Sequence, residues 1–96
     1  MNMLTMTEEI FSAMRLIQED ETAKRTFRTI EEEGGKASGW HIAKFQDADP
    51  DSVAKALQTL KTLGVVESTG KGLEGYYYLT SLGFQLQEHL IKRLAK

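Results

Sequence analysis

Apolar residues recur at helical spacing through the first two-thirds of the chain and crowd at strand-like density in two places after it. Ile10, Phe11, Met14 and Ile17 form one helical stripe, which Thr7 is placed to cap. The stretch from Gln18 to Thr22 is a polar break. Ala23, Phe27 and Ile30 make the apolar face of a second helix running to about Glu33, where Gly34 and Gly35 supply a C-cap and a loop. Ser38 caps a short third helix holding Trp40, Ile42, Ala43 and Phe45. In the next break, Asp49 suits the free N–H groups of a new helix and Pro50 suits its first position. That fourth helix, over 50–63, carries Val53, Leu57, Leu60 and Leu63 on one face and ends at Gly64.

The period then changes. Val65 to Thr69 and Tyr76 to Leu79 are rich in β-formers and flank the three-glycine segment 70–75, which reads as a hairpin with a six-residue loop. Thr80 caps a last helix reaching about Leu94. The expected class is α+β, mainly α, with a two-stranded hairpin and additional helices at both ends. One domain over 1–96 divides into an extra helix (1–19), a core (20–80) and a C-terminal helix (81–96).

Composition narrows this little: 41% hydrophobic and 27% charged residues suit an ordinary globular chain. The absence of cysteine removes disulfides and thiolate metal sites from these 96 residues and fits a cytoplasmic setting. Met1 to Met6 does not read as a signal peptide, and no run approaches the length of a membrane span. Charge distribution matters more than the net −2. Residues 1–33 hold eight acidic and four basic side chains; residues 34–96 hold six acidic and eight basic, so the second part is locally positive.

The run from Ile42 to Val66 resembles the helix-turn-helix of winged-helix transcriptional regulators of the ArsR, MarR and PadR kind. Ile42-Ala43 is similar to the buried pair that opens their pattern, and Asp49-Pro50 to the cap of their recognition helix. Leu57, Leu60 and Gly64-Val65-Val66 are similar to its close. Tyr78-Leu79-Thr80-Ser81-Leu82-Gly83 resembles the strand-to-helix motif that follows the wing in such proteins. The resemblance covers about residues 20–83. It implies a DNA-binding homodimer whose helix 50–63 enters the major groove while wing 70–75 touches backbone or minor groove. It also implies an inverted-repeat site.

Residue chemistry agrees with that expectation. With one face of the fourth helix turned inward, Ser52, Lys55, Thr59 and Thr62 fall on the free face, suited to phosphates and base edges. Lys71 lies among wing glycines that would let backbone approach a phosphate, and Lys36 and Lys44 add charge near the third helix. Apolar residues of the terminal helices exceed what one small core needs. Phe11, Met14, Ile17, Phe84, Leu86, Leu90, Ile91 and Leu94 are therefore expected at a two-fold dimer interface.

An alternative is a winged helix used for protein–protein assembly without DNA. Asp47, Asp49 and Asp51 crowd the turn that would face a duplex, and the fourth helix has no arginine. Neither reading asks for a cofactor or metal, and no effector pocket is legible. Trp40 reads as partly buried packing, and His41 and His89 as exposed histidines without ligand partners. Tyr76 and Tyr78 share one strand face and Tyr77 the other, one face expected to pack on the fourth helix. No nucleophile–base motif supports catalysis.

Overall fold

The protein was described from a computed structural model giving the backbone of residues 8–94 and the side chains of residues 8–88. The expectations for Met1 to Thr7 and for the side chains of His89, Leu90, Ile91 and Leu94 lie outside these.

Helices α1 (Glu8–Glu19) and α2 (Glu21–Glu32) are separated by Asp20 alone. The polar break is in fact a cap: the Asp20 carboxylate accepts the amides of Thr22 and Ala23, each at 3.1 Å. After α2 come a short strand β1 (Lys36–Ser38), helix α3 (Gly39–Gln46) and helix α4 (Pro50–Thr62). The caps of the last two are those expected, Ser38 accepting His41 N–H and Asp49 accepting Ser52 N–H, both at 3.1 Å. Strand β2 (Val66–Thr69), one tight helical turn (Gly72–Glu74), strand β3 (Tyr76–Leu79) and helix α5 (Ser81–Leu94) complete the order. The Thr80 hydroxyl donates to Gly64 O at 2.6 Å and accepts Gly83 N–H at 3.1 Å, so one side chain starts α5 and ties it to the end of α4.

The expected hairpin is present, but a third strand joins it. The sheet is antiparallel in the order β1-β3-β2, with Lys36 opposite Tyr78, Ser38 opposite Tyr76, and Val66 opposite Leu79. Its inner face contributes Ala37, Tyr77, Val66 and Leu79 to a core shared with Phe27, Ile30, Ile42, Val53, Leu57, Leu60 and Leu86. Helix α2 packs against α1, α3 and α4 and runs through the centre of that core.

Three of the residues expected at a dimer interface do not face outward. Met14, Ile17 and Leu86 are at most 3% exposed because α1 and α5 pack on each other and on the protomer's own core. Phe11 and Phe84 are more than half exposed. Trp40 also departs from expectation at 54% exposed, with Phe45 on the same helix at 57%. Helix α3 is only eight residues long, and Gly39, Ile42 and Ala43 take its inward face.

One carboxyl of α2 is held unfavourably. Glu31 has a buried Oε2 with no hydrogen-bond partner among the described residues. Burial raises its pKa from 4.5 to about 7, against the pull of Arg28 and with a smaller push from Glu32. The folded state thus binds a proton that the unfolded chain releases near 4.5. This group's contribution to stability therefore falls as pH rises from 4.5 to about 7, and stays low above that. Glu31→Gln, which keeps the shape and removes the charge, is expected to melt several degrees above wild type at pH 8 and to match it at pH 4. Thermal denaturation at the two pH values checks this, and a lower melting point at pH 8 would refute it.

Candidate nucleic-acid interface

Helix α4 supplies the main surface. Val53, Leu57 and Leu60 are fully buried and Ala56 nearly so, which fixes the rotation of the helix. Ser52, Lys55 and Thr62 are exposed on the opposite side, and Thr59 is half-buried between the two faces. Leu63 caps the helix end and is only partly buried. The sequence reading overlooked Gln58, which is exposed and whose Nε2 donates to Thr62 Oγ1 at 3.4 Å. Its signal was available: it stands three residues from Lys55 and four from Thr62, on one face, and glutamine is a side chain that pairs with adenine edges.

The acidic turn has a structural use. Asp49 Oδ2 takes both the Ser52 amide and, at 3.2 Å, the Ser52 hydroxyl. Asp47 adopts the left-handed conformation (φ 55°) that closes α3, a position asparagine and aspartate tolerate best after glycine. Two of the three aspartates are accounted for by helix ends, so the cluster alone does not argue against an anionic partner.

The wing is folded, not splayed. Its neck is closed by Gly70 and Gly75, whose backbones lie back to back: a Cβ on Gly75 would come within 2.9 Å of Gly70 C. Its tight turn packs against α3 and α4, and Leu73 is partly buried there. The Leu73 backbone approaches Gly39 so closely that a Cβ at 39 would stand 2.5 Å from Leu73 Cα. Gly39 N–H donates to Gly75 O at 2.9 Å, and the Tyr77 hydroxyl donates to Gly72 O at 2.7 Å. Burial pushes the Tyr77 phenol's pKa up, so it remains a donor at neutral pH. The glycines at 70 and 75 thus serve the loop's own closure, whereas Gly72 faces open space. Lys71 leads into the turn and is exposed.

On the outer face of the sheet, Lys36 Nζ lies 5.6 Å above the Tyr76 ring, a cation–π distance. Tyr76 and Tyr78 are exposed there and Tyr77 is buried on the other side, the alternation expected of a strand. Lys44 is exposed on α3. His41 lies 3.3 Å from Glu33 and stacks on Phe45, ring centroids 6.0 Å apart. A shallow cleft of about 300 Å³ between α2 and α3 is lined by Arg25, Arg28, Thr29, Glu32, Phe45 and Gln46. Among the described residues no three His, Cys, Asp or Glu side chains gather to hold a metal ion, and no helix is long and apolar enough to cross a membrane.

The architecture has a clear counterpart among solved structures. The chain is similar to TubR, solved bound to 24 bp of tubC from Bacillus thuringiensis serovar israelensis pBtoxis. The TM-score is 0.74 at 20% identity, over 91% of this chain and 97% of that one. This is a winged helix. In winged-helix terms α3 and α4 form the helix-turn-helix and β2–β3 the wing, with β1 as the third strand of the small sheet. No known protein-family profile matches the sequence, and no curated protein matches it.

Proposed function

We propose that the protein binds duplex DNA as a homodimeric transcriptional regulator of the cytoplasm. Helix α4 reads the major groove and the wing, with Lys71, contacts the flanking backbone. The observation that carries this reading is the shared fold with TubR, whose structure holds 24 bp of DNA. The free face of α4 supports it, offering Ser52, Lys55, Gln58, Thr59 and Thr62 with their neighbours' inner sides committed to the core. Lys36 and Lys44 add phosphate contacts. The resemblance of residues 42–66 and 78–83 to ArsR, MarR and PadR regulators points the same way. The whole chain acts as one domain, and the dimer forms through the outer faces of α1 and α5, where Phe11 and Phe84 are exposed. Two-fold symmetry then requires half-sites about one helical turn apart.

Fluorescence anisotropy of a labelled duplex across a salt series tests the reading. Binding should weaken with a log–log slope near −0.9 per phosphate neutralised, so about four to eight contacts per dimer give a steep line. Lys55→Glu is expected to weaken binding by roughly tenfold or more, since it replaces an attraction to phosphate with a repulsion. Unchanged affinity would mean that another face meets the DNA. Light scattering that shows a monomer at high micromolar concentration would remove the dimer.

A second reading, a protein-assembly module, draws on Trp40 and Phe45, two large rings more than half exposed on α3. No duplex binding at about 50 mM salt would favour it.

A further inference from the structure

We infer that Tyr77 is a positioning residue for the nucleic-acid surface: its hydroxyl pins the wing tip against α3 and α4, so that Lys71 and α4 present one fixed surface. The inference rests on the duplex-binding reading above and deepens it.

A six-residue loop with three glycines would ordinarily sample many conformations, and ordering it on a ligand would cost conformational entropy. Here that ordering is built into the free protein. The loop is held at three places: Gly72 O by the Tyr77 hydroxyl, Gly75 O by the Gly39 amide, and the Leu73 backbone by direct contact with Gly39. Within the loop, Ser68 Oγ donates to Gly70 O at 3.1 Å and Glu74 N–H to Lys71 O at 3.2 Å. Of these restraints only one comes from a side chain anchored in the core. The Tyr77 ring is 3% exposed on the inner sheet face, and its oxygen reaches outward to the residue after Lys71. The hydroxyl therefore transmits the rigidity of the core to the wing. A phosphate meeting Lys71 finds the lysine's backbone already in place, and the entropy of ordering is not subtracted from binding. Because the turn packs on α3 and α4 as well, any displacement of the wing also displaces Lys71 relative to the α4 face.

The test is a double-mutant cycle on the full chain, read by duplex anisotropy across a salt series for wild type, Lys71→Ala, Tyr77→Phe and the double variant. Tyr77→Phe keeps the buried ring and removes only the hydroxyl. Lys71→Ala should reduce affinity roughly fivefold at ~0.15 M salt and lower the magnitude of the salt slope by about one, the signature of one phosphate contact. Tyr77→Phe should approach the same loss and the same change in slope, and should add little in the Lys71→Ala background. A Tyr77→Phe loss that adds in full to that of Lys71→Ala, or that leaves the slope unchanged, overturns the positioning role. Hydrogen exchange at the Gly39 amide gives a reading free of DNA. Exchange is expected to be slow in wild type and faster in Tyr77→Phe, and equal rates would overturn the clamp. If the wild type binds no duplex, the DNA reading fails and the role toward Lys71 fails with it, while the exchange rates still decide whether the hydroxyl holds the wing.

Discussion

Phe27→Ala is expected to lower the unfolding free energy by about 3–5 kcal/mol, the usual range for removing a fully buried aromatic ring. Phe27 is 1% exposed and sits on α2, the helix that packs against α1, α3 and α4. The void would open where these elements meet, and no single helix can move to fill it without leaving the others. Small domains are commonly stable by only about 5–15 kcal/mol, and a chain this short belongs toward the lower end. The variant should therefore be largely unfolded near physiological temperature. Phe11→Ala is the control: its ring is more than half exposed, and the change should stay within about 0.5 kcal/mol. Circular-dichroism melts of the two proteins decide the matter. A loss under 1 kcal/mol in Phe27→Ala would mean that α2 is not the centre of the core.

Gly83→Ala is expected to destabilise by about 2 kcal/mol, although the same change inside a helix usually stabilises. Removing a helical glycine gains about 1 kcal/mol through lower backbone entropy in the unfolded state. The opposing effect is steric. A methyl at 83 would overlap the Val65 carbonyl oxygen and stand 3.3 Å from Leu79 Cβ. That oxygen is fixed, because it accepts the Thr80 amide at 3.0 Å. Relieving the overlap requires α5 to lift from the sheet, an overpacking cost of about 3 kcal/mol that outweighs the gain. A chemical-denaturation series measures the sign directly, and a stabilised variant would show that α5 packs less closely.

The helices were legible because their ends carry distinct chemistry. Ser38, Asp49-Pro50 and Thr80 announce helix starts, and each makes the hydrogen bonds or takes the position its type implies. Asp20 was legible only as polarity, since neighbouring Glu19 and Glu21 hide a cap inside an acidic run. Strand β1 was not legible. It has three residues and one inward side chain, Ala37, so it has no period to read, and the partner that makes it a strand, β3, lies far along the chain at residues 76–79. The terminal helices teach a related limit. Met14, Ile17 and Leu86 are apolar at helical spacing, which establishes that they are buried but not against what, and here the answer is their own protomer. For the site, the free face of α4 followed from its inward stripe, whereas the folded wing did not. Closure there depends on Gly39 meeting Leu73 and on the Tyr77 hydroxyl, contacts between segments that no local pattern joins.

The pairing of β1 with β3 also adds a long-range closure to the folding of the molecule. Lys36 and Tyr78 come from opposite halves of the chain, so their rung closes a loop containing α3, α4 and β2. The helices and the β2–β3 hairpin need only local encounters and form on the fast timescales of such elements, but the β1 rung carries the loop-closure entropy of everything between. The helix-turn-helix is therefore enclosed within a loop that the β1–β3 rung closes, so its two helices are tied down at both ends of the segment that holds them.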